Sequence, residues 1–428
     1  MSYAQTHPGQ ESPFAKWTRG LKHSALQDML VAGSRPGVLS LALGLPAAEL
    51  FPVAAYSQAI TKVLAGDPRA LQYGPPFQPL KKHIVALMAE RGVLCREEQV
   101  FLTAGAQQGT NLLARLLLEQ GSQVIAEEKM YPGFKQVLQP YEPHILTVPT
   151  DPATGMDVDA VERLLFSGVR PALIYAIADG HNPLAVSMSL EKRERLAGLA
   201  RRYRVPIIED DPYGFLFYES NAQPPLLAFD DEWVFYVGTF SKILAPALRT
   251  GWLVVPESLV NLLATVKEAA DINTAPLSQR AISAYLDTGL LDEHLSMLRR
   301  EYRTRRDAML HALESLMPDD TRWQQPASGL FVWVELPAEV DSGALLAQAI
   351  AEEQLVFVPG YTFSITERPC LKNSVRLNFS NNSVARIADG VARLARLLNR
   401  NRPLANDSRV KASLPGLFSP NEIIQNSR

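Results

Sequence analysis

Between residues 100 and 255 the chain alternates short apolar runs, many of them β-branched, with longer amphipathic stretches, and few architectures accept that pattern. The runs 100–103, 123–126, 172–178, 206–208, 234–237 and 252–255 read as buried strands. Helical patterns separate several of them. Residues 108–119 carry leucines at 112, 113, 116 and 117; residues 190–203 follow Ser189 as an N-cap and supply Leu190, Leu196, Leu199 and Ala200 as apolar positions. Strands alternating with helices predict an α/β fold: a mostly parallel sheet covered on both faces, with ligands bound at the carboxyl ends of its strands.

After about residue 285 the texture changes. Residues 290–317 read as a long helix rich in Arg and Glu, followed by a strand (329–335), a helix (342–353), a strand (374–379) and a last helix (384–398). This predicts a smaller α+β unit. The expected division is an N-terminal arm and helix over 1–45 that covers the site and joins the small domain, a large domain over 46–288, a small domain over 289–400, and a disordered tail over 401–428. Of the 428 residues, 47% are hydrophobic and 20% charged, with a net charge of −3, which excludes a disordered chain and a strongly basic nucleic-acid binder. Cys95 and Cys370 are too few for a disulfide framework or a cysteine zinc site, no metal site is expected, and a reducing compartment fits. The first residues lack a signal-peptide pattern and no apolar run is long enough to span a membrane, so a soluble, cytoplasmic protein is expected.

The segment Thr239-Phe-Ser-Lys-Ile-Leu-Ala-Pro-Ala-Leu-Arg-Thr-Gly-Trp252 follows a predicted strand, where an α/β site belongs. Lys242 stands among small and apolar neighbours, which lowers an amine's pKa and suits it to attack a carbonyl. Thr239, Ser241 and Arg249 form a set suited to a phosphate, although a lysine and arginine on a surface loop would also satisfy the pattern. In Thr103-Ala-Gly-Ala-Gln-Gln-Gly109 a strand gives way to a helix through small residues, leaving backbone N–H groups free for an anion. Residues 206–213 read as an apolar strand ending in three acids. Arg376, between Val375 and Leu377, needs an anion partner: either an internal acid or a ligand carboxylate.

The motif Ser-Lys-x-x-Ala-Pro-x-x-Arg-x-Gly-Trp resembles the lysine motif of fold type I pyridoxal-phosphate (PLP) enzymes, and within these the class I/II aminotransferases, especially the aminoadipate and kynurenine aminotransferase branch. The resemblance runs from about Phe14 to Leu398 through Ser40–Pro52, Leu71-Gln-Tyr-Gly74, Thr103–Gln108, His181-Asn-Pro183, Glu209-Asp-Asp-Pro-Tyr213 and Ser374–Phe379. It implies the aspartate aminotransferase-like fold, with a seven-stranded type of sheet in a large PLP domain. It also implies PLP held covalently by Lys242. Gly105, Ala106, Gln107, Thr239, Ser241 and Arg249 would then hold the phosphate, with Ala106 in place of the family's usual Ser. Tyr131 would stack on the ring, Asn182 and Tyr213 would meet its phenolic oxygen, and Asp210 its nitrogen; Asp211 is the competing acid. Tyr73 would reach the phosphate of a neighbouring subunit, implying a homodimer with shared sites. Gly44, Asn182 and Arg376 would bind substrate.

Where the family commonly has Asn-Pro-Thr-Gly, this chain has Asn182-Pro-Leu-Ala185. Losing glycine removes easy access to positive φ, so a different local turn is expected. His181 reads either as a titratable group near the cofactor or as a supporting residue. The stretch 21–30 resembles a helix over the substrate pocket, with Gln27 where relatives acting on acidic substrates can place Arg, and with His23 as a pocket or a solvated residue. The implied activity is transfer of an amino group from an L-amino acid to a 2-oxo acid, with Lys242 as acid–base and Asp210 and Tyr213 supporting the cofactor. Two alternatives remain: a non-transaminating PLP enzyme (cyclase, dehydratase, oxidase or decarboxylase) and, more remotely, a PLP-binding transcription regulator. The regulator would need a DNA-binding domain ahead of Phe14.

Overall fold

Alternate residues of each central strand enter two separate apolar cores. Ile207 belongs to one and Ile208 to the other; Val234, Tyr236, Trp252 and Val254 face the first, while Phe235, Val237 and Leu253 face the second. A strand buried on both faces cannot alternate apolar with polar residues, and this is why these segments read as continuous apolar runs. The computed structural model describes residues 13–21, 25–219, 222–365 and 372–401. The 401–428 tail expectation falls, beyond Asn401, outside the described residues, and so does His23.

The large sheet comprises β1 (Val100–Thr103), β2 (Gln123–Glu127), β3 (His144–Val148), β4 (Leu173–Ala176), β5 (Ile207–Asp211), β6 (Val234–Thr239) and β7 (Gly251–Val254). Their seven-stranded order is β1-β7-β6-β5-β4-β2-β3. All pairings are parallel except those of β7, which runs antiparallel to both β1 and β6. Residues 240–250 therefore link an antiparallel pair, and Thr239 and Gly251 stand side by side in register. Helix α1 (Ala106–Leu117) starts two residues before the expected 108, because Gly105, at φ 83°, turns directly into it. Helix α2 (Leu190–Tyr203) has the expected bounds, with the Ser189 hydroxyl accepting from the Lys192 N–H at 3.4 Å.

Helix α3 (Leu291–Leu316) leads into a four-stranded antiparallel sheet of β8 (Arg322–Trp323), β9 (Phe331–Glu335), β10 (Val358–Pro359) and β11 (Ser374–Asn378), in the order β8-β9-β11-β10. Strand β9 begins at Phe331 rather than 329, since Gly329 is at φ 84° and packs on Gly180. The chain's early part returns here: strand Leu39–Ser40 pairs in parallel with Leu355–Val356. The segment after it, residues 41–45, runs beside β11, where the Asn378 N–H donates to the Leu41 carbonyl. Among the described residues no helix is long and apolar enough to cross a membrane.

Candidate active site

A cavity of about 260 Å³ opens where β4, β5 and β6 end, β7 starts and α1 begins, walled on the far side by residues 43–45, Phe331 and Arg376. Gly44, Ala106, Gln107, Tyr131, Asn182, Asp210, Tyr213, Thr239, Ser241, Lys242, Arg249 and Arg376 all line it. Gly105 stands just behind: its φ of 83° favours glycine, and a Cβ there would lie 2.5 Å from the Arg249 guanidinium and push that side chain aside. Tyr73 is not in this cavity. It is 80% exposed and lines a neighbouring hollow together with Arg249.

The lysine segment leaves β6 in a tight, hydroxyl-braced turn. The Ser241 N–H donates to Thr239 Oγ1 at 3.1 Å, and the two hydroxyls lie 3.0 Å apart. Lys242 Nζ donates to the Gly44 carbonyl at 2.8 Å. Burial, with Arg376 and Arg249 adding to it, pulls this amine down to about 8. Gly44 itself is forced by packing, since a Cβ would meet the Phe331 ring at 2.4 Å. Arg249, exposed and at φ 45°, donates from Nη2 to the Ala104 carbonyl at 3.0 Å. It thereby faces the first turn of α1, whose Ala106 and Gln107 N–H groups have no intrahelical acceptor. The Gln107 side chain is otherwise engaged, donating to the Gly133 carbonyl at 2.8 Å.

The three acids end β5, as expected: Glu209, Asp210 and Asp211 are all buried and in register with Tyr236, Val237 and Gly238. Burial is tolerated because two of the three are fully served. Glu209 accepts from the Leu226 and Leu227 N–H groups at 2.7 and 3.0 Å, and burial lifts its carboxyl to about 7. Asp211 is bound by Arg91, by the Tyr236 hydroxyl at 2.9 Å and by the Gly214 N–H at 2.6 Å. Asp210 differs. Its Oδ2 accepts from the Tyr175 hydroxyl at 2.7 Å, but its buried Oδ1 has no partner, and burial lifts the carboxyl to about 6. Between the two competing acids, only Asp210 lines the cavity and keeps an oxygen to offer.

Arg376 stands on β11 opposite Trp333, 2% exposed. The anion partner expected of it is absent among the described residues. Instead Nη1 donates to Asn182 Oδ1 at 2.6 Å, Nη2 to the Ala42 carbonyl at 2.7 Å, and Nε has no acceptor. The guanidinium lies over the Phe331 ring at 3.9 Å and near Phe363 at 4.8 Å. Burial pulls it down to about 10. Because guanidinium offers only donors, the Asn182 oxygen must face Arg376, which leaves the amide nitrogen as a donor.

At 182–185 the chain turns without the family's glycine. Ala185 takes φ 60° without glycine, and Asn182 still lines the cavity. His181 is buried and bonded to Glu127, outside the cavity wall. Gln27 is exposed. Tyr175, Phe331, Glu127 and Arg91 were not singled out by motif; the only sequence signals were a lone Tyr in an aliphatic strand and charges abutting apolar runs, and neither names a partner.

The Aminotransferase class I and II family matches residues 37–394 of the chain. The aromatic-amino-acid aminotransferase 1 of Thermococcus litoralis is 36% identical over 90% of this chain and 94% of its own length. The 2-aminoadipate transaminase of Thermus thermophilus is 35% identical over 90% and 96%. In structure, the kynurenine aminotransferase of Pyrococcus horikoshii, solved with PMP, superposes with a TM-score of 0.85 at 33% identity, covering 90% of this chain and 97% of that one. The fold is the fold type I, aspartate aminotransferase-like α/β architecture, and the chain belongs to the class I and II aminotransferases.

Proposed function

We propose that the chain transfers the amino group of an L-amino acid to a 2-oxo acid using PLP attached to Lys242. The observation that carries this reading is electrostatic. Lys242, Asp210 and Arg376 converge on one cavity, and among the described residues none of them has a counter-charge within ion-pair distance. Buried charges without partners are costly, so the site is built for a ligand that brings the missing charges. Asp210 would meet a protonated ring nitrogen of pyridoxal phosphate and Arg376 an amino acid's carboxylate, while the Lys242 amine would be the point of attachment for the cofactor's aldehyde.

The remaining donors fit the same group. The free N–H groups of Ala106 and Gln107, the hydroxyls of Thr239 and Ser241, and Arg249 would hold the phosphate, with Gly105 giving Arg249 room. The Asn182 amide nitrogen and the Tyr213 hydroxyl would donate to the phenolic oxygen, and Tyr131 would cover the ring. Tyr73, exposed beside Arg249, suits contact with the phosphate of a second subunit, which makes a homodimer with shared sites part of the proposal.

When bound, the cofactor supplies a conjugated electron sink next to the substrate's Cα. The protein does the rest. Arg376 grips the α-carboxylate through its donor fork and fixes the Cα–H bond. Lys242, its amine about half neutral near pH 8, would take the proton from Cα as general base and, as general acid, deliver it to the cofactor carbon that bore the aldehyde. Asp210 stays anionic above about pH 6 and holds the ring nitrogen's proton in place.

Borohydride reduction of the holoenzyme followed by peptide mass spectrometry tests the attachment. The expected modified residue is Lys242; a stable adduct on another lysine, with Lys242 free, would refute the assignment.

A further inference from the structure

Behind Asn182 lies a buried polar chain that the proposed chemistry does not use. Glu127 ends β2 with its side chain enclosed, accepting from the Thr150 hydroxyl at 2.7 Å. Its other oxygen lies 3.0 Å from His181 Nε2, and both side chains are about 95% enclosed, at 4% and 5% exposure. On the far side of the ring, His181 Nδ1 accepts from the Leu184 N–H at 3.4 Å. That assignment fixes the tautomer: the lone pair is on Nδ1 and the proton on Nε2, where it is donated to the Glu127 carboxylate. The His181 backbone is held as well, its N–H on the Val186 carbonyl at 2.8 Å and its own carbonyl on the Ala185 N–H at 2.5 Å. Upstream, Asp179 is clamped by Arg193 at 2.6 Å and by Arg91 at 3.0 Å.

The turn so braced has two features needing support. Ala185 sits at φ 60°, a region costing an alanine about 1 kcal/mol that glycine would avoid. Asn182 must keep its oxygen 2.6 Å from Arg376 Nη1, on an arginine with no carboxylate partner of its own. We propose that His181 is a positioning residue: held between Glu127 and the Leu184 N–H, it fixes the Asn182 amide against Arg376 and so sets the grip on the substrate's α-carboxylate. The inference rests on the carboxylate role given to Arg376 above. It assigns His181 no contact with substrate or cofactor and no proton transfer of its own.

The test uses the holoenzyme and two inhibitors matched to a good amino donor: the carboxylic acid lacking its amine, and the amine lacking its carboxylate. In His181→Ala the inhibition constant of the acid is expected to rise about ten-fold, the size of effect that follows from loosening one buried hydrogen-bonded pair. That of the amine should stay within about two-fold, and the loss in turnover should fall on KM rather than kcat. His181→Gln, whose amide can donate to Glu127 and accept from Leu184, should recover most of the acid's affinity. Equal weakening of both inhibitors in His181→Ala, or no change in either, would overturn the proposal. Glu127→Gln conserves volume and serves if His181→Ala does not fold; it should weaken the acid alone, and failure to do so counts against the proposal equally. Arg376→Lys separates the two levels. If it leaves the acid's binding intact, the carboxylate role of Arg376 fails; if it abolishes that binding while His181→Ala does not affect it, only the role of His181 fails.

Discussion

Asp210 has one oxygen on Tyr175 and the other on nothing, enclosed at the end of a central strand. Its carboxyl is raised from its ordinary 3.8 to about 6, chiefly by burial, so the folded chain binds a proton there more tightly than the unfolded chain does. The apoprotein therefore loses stability from this group as pH rises from about 4 to 6. Asp210→Asn removes that dependence: relative to wild type, the apo variant should gain about 2 kcal/mol between pH 4 and pH 8, measured by urea unfolding, while kcat falls by about a hundred-fold or more. A pH-independent stability difference would contradict the assignment. Lys242 carries the opposite signature. Its amine is lowered to about 8 by burial and by two arginines, so it loses its proton well below an ordinary lysine. Reloading of apoenzyme with PLP should accelerate as pH rises through about 8 and then level off; a rise that continues towards the ordinary lysine range would show that the amine is not depressed.

Among the glycines of the described residues, Gly251 at the start of β7 makes the closest approach to other backbone atoms. A Cβ on Gly251 would lie 2.6 Å from the Gly238 carbonyl oxygen, 2.9 Å from the Gly105 carbonyl carbon and 3.0 Å from the Ala106 nitrogen, all of them backbone. Gly251→Ala should displace the N-terminus of α1, weakening PLP binding at least ten-fold and costing about 1–3 kcal/mol of stability. Equilibrium dialysis of the folded variant checks this. The Gly-Trp of the lysine motif is thus legible in the sequence as a motif, while its reason, the backbone of Gly251 against that of Gly105, 146 positions earlier in the chain (251 − 105), is not. The apolar runs announced every strand of the large sheet except β3, because residues buried on both faces must all be apolar. The acids that end β5 are legible too, but their partners are not: Leu226, Leu227, Arg91 and Tyr236 come from elsewhere in the chain. Arg376 was legible as a buried cation seeking an anion, but its settlement on Asn182 and the Ala42 carbonyl depends on contacts between distant segments. Ala185 shows the reverse case. Composition argued against positive φ, and the hydrogen bonds around His181 hold it there.

At the level of the whole molecule, the cavity draws on both sheets and on the segment after Leu39–Ser40, so the site exists only when the two ends of the chain are brought together. Tyr73 and Arg249 share a second hollow at the rim of the cavity. If that hollow is closed by a second copy, sedimentation should give twice the chain mass. Mixing inactive Lys242→Ala subunits with Tyr73→Ala subunits, after unfolding and refolding together, should then restore one sound site per heterodimer; activity no higher than the separate parents would argue against shared sites. In the proposed reaction the chain takes an amino group from an amino acid and keeps it. The most direct measurement is a single half-reaction: holoenzyme mixed with a panel of L-amino acids and no acceptor, with 2-oxo acid, ammonia and cofactor quantified by mass spectrometry. At least one donor should yield one 2-oxo acid and one aminated cofactor per Lys242 site, with no free ammonia. Release of ammonia, or an unchanged cofactor with every amino acid, would contradict it.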